Sequence, residues 1–225
     1  MATVALTESY GLTADPVLKG PAQRALNFLV SKQKADGSWD DIPKGSGAAA
    51  AAHAWQIMAL KSGQLAGLSV PNDSLAKVTK LLDAREEMRD RPPAALASHL
   101  LARQYLGWGP RHPQLLKGIT ALRLRPPDPK TADIEYYYFA TQVIFRNGGE
   151  AWEQWNGKMR PLLLDTQEKD KGENAAHRDQ TGSWSPGKDP LAPFGGRVMQ
   201  TALSLLIMEN YYRHMPLYLR ELGKE

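Results

Sequence analysis

PAQRALNFLVSKQK, Pro21–Lys34, followed after a short break by AAAAAHAWQIMAL, Ala48–Leu60, is the stretch that decides the fold. In its first part Ala22, Ala25, Leu26, Leu29 and Val30 recur at helical spacing, while Arg24, Asn27, Ser31 and Lys32 occupy other faces. That is an amphipathic helix with one side in water. The second part is apolar nearly all round, as a helix covered on most sides must be. An outer helix followed by an inner one makes a hairpin, and the inner member needs neighbours on both flanks.

The same alternation recurs along the chain. Ser74–Arg85 reads as an outer helix with Ala94–Leu106 as its inner partner, then His112–Arg123 with Asp133–Arg146, then Ala151–Gln167 with Arg197–Tyr212. The last inner helix carries Ala202, Leu203, Leu205, Leu206, Ile207 and Met208, apolar on every side. Ala2–Tyr10 (ATVALTESY) reads as the end of a helix whose hairpin partner is missing, which makes the chain the C-terminal part of a longer parent.

Helix ends fit this scheme. Asn72-Asp73 and Asp133 are expected to cap helices, Gly63, Gly107 and Gly148-Gly149 to stop them in left-handed conformation, and Pro92-Pro93 and Pro126-Pro127 to punctuate connections. Gln56 and Gln142 precede Gly63 and Gly149 by the same interval, which aligns the first and third inner helices. No stretch sustains the period-two alternation of a strand. The expected fold is all-α: a single domain over 1–225, a partial or small α/α toroid of about four helical hairpins plus a leading helix. Inner helices would face a central space, where polar side chains would act.

Within this pattern, Arg24-Ala25, Phe28-Leu29, Gln33, Gly37 and Trp39 (RALNFLVSKQKADGSW) resemble the Gln-Trp repeat motif of squalene-hopene cyclases and their α/α-toroid relatives, including protein prenyltransferase β-subunits. Gln33 is expected to bond backbone at the next helix, Gly37 to permit the turn, and Trp39 to stack nearby. Arg160, Leu163-Leu164, Gln167 and Gly182-Ser183-Trp184 form a second copy, interrupted by the charged insert Glu168–Thr181, which reads as a solvated loop. The two middle hairpins lack the motif. The segments after Asp133 look like an uncharacterised bacterial branch of cyclase-like repeat proteins.

The resemblance implies chemistry that these residues do not repeat. Cyclases of that family protonate an alkene with an Asp-x-Asp-Asp motif; Asp40-Asp41 lacks the spacing, and Asp133-Ile134-Glu135 lacks the later positions. The prenyltransferases hold zinc through Asp, Cys and His, and this chain has no cysteine. Disulfides and thiolate catalysis are excluded on the same ground. His112, His177 and His214 share no helical face with His53 or His99, so neither a metal nor another cofactor is expected.

A formal charge of +4, from 28 basic and 24 acidic residues scattered among one another, argues against nucleic acid. Met1–Ala14 lacks a signal-peptide pattern, and no apolar run approaches a membrane span. The expectation is a soluble chain, cytoplasmic by default if the parent carries no signal.

The candidate cavity-lining residues are His53, Gln56, His99, Tyr137, Gln142 and Arg197. His53, beside Trp55, and His99 read more plainly as core histidines than as acid/base groups. Tyr136, Tyr137 and Tyr138 point in three directions, so only one or two could face a cavity, suited to an apolar or cationic ligand. Arg197, after Gly195-Gly196, could receive an anion, though a salt bridge to a nearby acid is the plainer reading. Trp152 and Trp155 are expected to anchor the last outer helix.

Two functions follow. The leading one is a noncatalytic binding or scaffold module holding an apolar small molecule or peptide; the alternative is an isoprenoid cyclase-like, transferase-like or lyase-like enzyme acting in the central cavity. A stack of hairpins with an open end is also expected to associate as a homodimer.

Overall fold

A computed structural model of the chain describes residues 1–39, 48–84, 91–169 and 180–211. His177, His214, Asp40-Asp41, the break at 45–47 and most of the Glu168–Thr181 insert lie outside them. The described residues are all-helical, and their only strand-like pairing is an isolated antiparallel bridge between Gln167 and Trp184. No helix among them is long and apolar enough to cross a membrane. The chain divides into two compact units, Met1–Gly109 and Pro110–Tyr212.

The first unit holds α1 (Ala2–Thr13), α2 (Pro16–Ser31), α3 (Ala48–Leu65), α4 (Asn72–Asp83) and α5 (Pro93–Tyr105). α3 packs between α1 and α5, while α2 lies against α1 and α3, and α4 against α3. Two layers result, one of apolar helices and one of amphipathic helices. α2 begins earlier than the hydrophobic pattern alone predicts, because the Asp15 carboxylate accepts from Val17 N–H at 2.9 Å and Pro16 brings a helical φ to the first position. In α5 every residue from Ala95 to Arg103 is buried, as its composition requires. Each wholly buried leucine, such as Leu26 or Leu100, contributes about 1.5–3 kcal/mol.

Some expected helix ends are corrected. Gly63 lies inside α3 and stops nothing: a Cβ there would sit 2.5 Å from Leu26 Cδ1, so the glycine lets α2 close onto α3. The left-handed turn follows at Gly67 (φ 72°). Gly149, at φ 64°, opens a later helix instead, so the alignment of Gln56 with Gln142 through these glycines does not hold. Asn72-Asp73 caps nothing, since α4 starts at Asn72 behind Pro71, and Asp73 pairs with Lys77 at 2.7 Å.

The second unit holds α6 (Pro113–Arg123), α7 (Ile134–Asn147), α8 (Gly149–Thr166) and α9 (Ala192–Met208), the last followed by a 3-10 turn, Glu209–Tyr211. α7 packs against α8 and α9, and α6 against α7 and α8. Asp133 caps α7 as expected, its carboxylate accepting from Tyr136 N–H at 2.9 Å. Gly148, at φ 69°, ends α7. Tyr136, Tyr137 and Tyr138 are all buried. α9 departs from its pattern. It kinks at Gly196 (φ 52°), and only Leu203, Ser204 and Ile207 are buried, while Val198, Ala202 and Leu205 are exposed; among the described residues α7 is the helix that packs closely on it.

Candidate functional site

The glutamine and tryptophan of each motif close a small frame at the end of an amphipathic helix. At the end of α2, Gln33 Nε2 donates to the Gly37 carbonyl at 3.3 Å and to the Ser74 carbonyl of α4 at 3.0 Å. Lys34 N–H donates to Ser38 O, Gly37 N–H donates back to Lys34 O, and Trp39 Nε1 donates to Leu29 O at 2.9 Å. At the end of α8, Gln167 Nε2 donates to Gly182 O at 2.8 Å, Glu168 N–H to Ser183 O, Gly182 N–H to Glu168 O, and Trp184 Nε1 to Leu163 O at 2.8 Å. Gly37 and Gly182 share the left-handed conformation that this turn demands, φ 86° and 82°. The loops differ, residues 34–36 against 168–181, yet the bonds coincide.

The second frame forms one wall of a cleft of about 420 Å³ in the second unit. Trp152, Asn156, Met159 and Leu163 stand one above another along one face of α8 and line it. Opposite them are Leu205, Ile207 and Met208 of α9, with Trp184 and Thr141 completing the enclosure. Trp184 N–H donates to Thr201 Oγ1 at 3.1 Å, tying the frame to α9. Trp155 Nε1 donates to the Thr141 hydroxyl at 2.8 Å, and the Trp155 ring meets Tyr136 edge-on at 5.9 Å, which fixes α8 on α7. Polar groups among the described residues are few: the buried Thr141, whose hydroxyl accepts from Trp155, then Asn156, Gln167 and the exposed Arg160 and Glu209. An apolar pocket with a sparse polar rim suits an apolar guest.

The candidates named from sequence lie elsewhere. In the first unit, His53 is half-buried and edge-on to Trp39 at 6.1 Å, and Gln56 is half-buried. His99 is buried edge-on to Trp108 at 6.4 Å, where burial first, then the Arg91 and Arg103 charges, pull its pKa down to about 3. It stays neutral and serves packing. Beside it the buried Arg103 pairs with Asp83 at 2.7 Å and stacks on Trp108 at 4.9 Å.

In the second unit, the Tyr137 hydroxyl accepts from Asp128 N–H and donates to Thr131 O at 2.7 Å, pinning a loop. Gln142 is buried and donates to Asn210 Oδ1 at 3.0 Å, one residue from cleft-lining Thr141. Arg197 reaches Ser183 Oγ at 3.0 Å and Glu168 at 3.8 Å, so it braces the second frame. None of the six cavity-lining candidates lines the cleft, whereas Arg160, Leu163, Leu164, Gln167 and Trp184 of the second motif copy do.

An acidic group, of which the sequence analysis named Asp133 and Glu135 but not Asp189, stands at the start of α7. Asp189 accepts from Ile134 N–H at 2.7 Å, close to the Asp133 cap. Burial, then Asp133 and Asp189, push Glu135 up to about 7, and burial raises Asp133 as well. Its only sequence signal was the acidic pair around Ile134. No family model, no curated protein and no solved structure matches the chain.

Proposed function

We propose that this chain is a cyclase-like helical-repeat module of the α/α-toroid type that binds an apolar small molecule or the apolar side chains of a peptide without transforming it. The observation that carries the reading is the α8–α9 cleft: aromatic and aliphatic walls from Trp152, Met159, Leu163, Trp184 and Leu205, with ionisable groups among the described residues only at the exposed rim. The two matching glutamine–tryptophan frames support the repeat architecture.

Trp152 and Trp184 report on the cleft directly. Titration with a long-chain isoprenoid alcohol is expected to change their fluorescence saturably. Leu164→Glu, on the rim and partly exposed, should weaken binding about tenfold while leaving helicity unchanged. A response that never saturates, or one indifferent to this substitution, rejects the reading.

The competing reading is an enzyme of the isoprenoid-cyclase or transferase kind. It draws on Glu135, a carboxyl whose pKa of about 7 keeps a proton available near neutrality. Product formation from an isoprenoid substrate, abolished in Glu135→Gln, would establish it in place of the binding module.

A further inference from the structure

Counted over the whole sequence, 28 basic residues read as scattered among 24 acidic ones, a formal charge of +4. Counted locally, they do not. Residues 111–130 hold five basic residues, Arg111, Lys117, Arg123, Arg125 and Lys130, against one acid, Asp128. That stretch of the second unit accounts for the whole excess, and the rest of the chain balances. All five cations are exposed. Arg123 donates to Gln154 of α8 at 2.7 Å with Glu150 3.9 Å away, and Glu153 and Lys158, one of each sign, share a surface recess with it. The other four pair with no carboxylate among the described residues. The next acids along the chain, Asp133 and Glu135, are half-buried at the start of α7.

The helix in this stretch has a water side of unusual make-up. α6 buries Leu115, Gly118, Ile119 and Leu122 along one arc and packs on α7 and α8. At about 100° per residue, the opposite arc runs in the order Arg123, Leu116, Thr120, Leu124, Lys117. All are exposed, Leu124 by 79% and Leu116 by 44%, and Leu124 still continues the turn at φ −71°, ψ −11°. Two leucines therefore stand in water between two cations. One exposed leucine is ordinary surface; two bracketed by cations, where the chain carries its excess charge, make an interfacial pattern.

The loop that continues from α6 is held firmly from below. The Tyr136 hydroxyl donates to Arg125 O at 2.7 Å, and the Tyr137 hydroxyl donates to Thr131 O at 2.7 Å while accepting from Asp128 N–H. Asp128, the one acid, folds its carboxylate onto Lys130 N–H at 2.8 Å. Arg125 and Lys130 are thus carried on a backbone already ordered, which lowers the cost of binding.

Cations in a last helical turn complement the helix dipole, and this accounts for Arg123 and Arg125 but not for Lys117 or Lys130. We propose that α6 and the loop after it form a peripheral membrane-binding face for an anionic lipid surface. Leu116 and Leu124 enter the boundary between headgroups and acyl chains, and the cations beside them meet the lipid charge. A nucleic acid would use the cations and leave the leucines in water, whereas a bilayer takes both. The face is independent of the cleft, which none of these residues lines.

Flotation with lipid vesicles tests it on the unmodified chain, on Leu124→Gln and on the double variant Lys117→Gln, Arg125→Gln. All three positions are exposed, and circular dichroism checks that the fold is kept. The unmodified chain should float with phosphatidylcholine vesicles containing about a third phosphatidylserine, and should detach as salt rises from about 0.05 M to about 0.5 M. It should stay behind with phosphatidylcholine alone. The double variant should bind about twentyfold more weakly, and Leu124→Gln about fivefold more weakly at unchanged charge. A duplex oligonucleotide at matched phosphate concentration should compete poorly. No flotation with the anionic vesicles, equal flotation with neutral ones, binding indifferent to Leu124→Gln, or displacement by the duplex overturns the proposal. The isoprenoid titration on the same variants reads the binding module separately.

Discussion

Trp39 and Trp184 make the same hydrogen bond in two different units: each indole Nε1 donates to a backbone carbonyl one helical turn before the motif glutamine, Leu29 at 2.9 Å and Leu163 at 2.8 Å. Both rings are buried, so the donor has no water to fall back on. Trp39→Phe and Trp184→Phe keep a ring and remove the donor. Each is expected to destabilise its own unit by about 1–2 kcal/mol, read as a lower urea midpoint. A loss confined to one of the two would show that the frames are not energetically alike.

The two motif glycines share a backbone conformation and differ in surroundings. An alanine at either position bears a left-handed strain of about 1–2 kcal/mol. At Gly37 the added methyl also meets the Lys77 carbonyl at 2.5 Å, a backbone atom that cannot turn aside. Gly37→Ala should therefore lower stability clearly more than Gly182→Ala, whose methyl meets nothing within 4 Å. Equal midpoints for the two variants would contradict the close seating of α4.

The glutamines differ in the same sense. Gln33 ties its own loop and the Ser74 carbonyl of α4, whereas among the described residues Gln167 ties only Gly182 O. Gln33→Leu should cost about 1 kcal/mol more than Gln167→Leu and should speed hydrogen exchange in the first turn of α4. Exchange in α4 unchanged by Gln33→Leu would mean that the bond does not hold that turn.

These frames were legible in the sequence because their parts are local: glutamine, glycine and tryptophan lie at the end of one helix, and the insert after Gln167 leaves the bonding groups intact. The helices of the core were legible for a similar reason, since runs such as Ala95–Ala102 and Tyr136–Ile144 have no polar face to turn outward. Gly63 misled because a glycine near a helix end reads as a stop, while its reason for being there is Leu26, which lies on another helix. The cleft left no pattern, since Thr141, Met159, Trp184 and Met208 come from separate segments. Composition also could not reveal that Val198, Ala202 and Leu205 of α9 stay exposed: an apolar circumference states what a helix can bury, and only packing states what it does bury.

The buried His99 and the half-buried Glu135 should bend the pH dependence of stability in opposite directions. His99 titrates at about 3 in the folded chain against 6.5 in its ordinary setting, so between these values the unfolded chain binds the extra proton. The stability this histidine allows is present above pH 6.5 and is lost as pH falls towards 3. Glu135 titrates at about 7 against 4.5, so there the folded chain holds the extra proton. Its contribution is present below pH 4.5 and is lost as pH rises through 7. His99→Leu should flatten the acid decline in the first unit, and Glu135→Gln the decline towards neutrality in the second. Urea midpoints measured from pH 4 to pH 8, roughly the span these titrations cover, would show it. An acid decline in the first unit that persists unchanged in His99→Leu would place the responsible proton on another group.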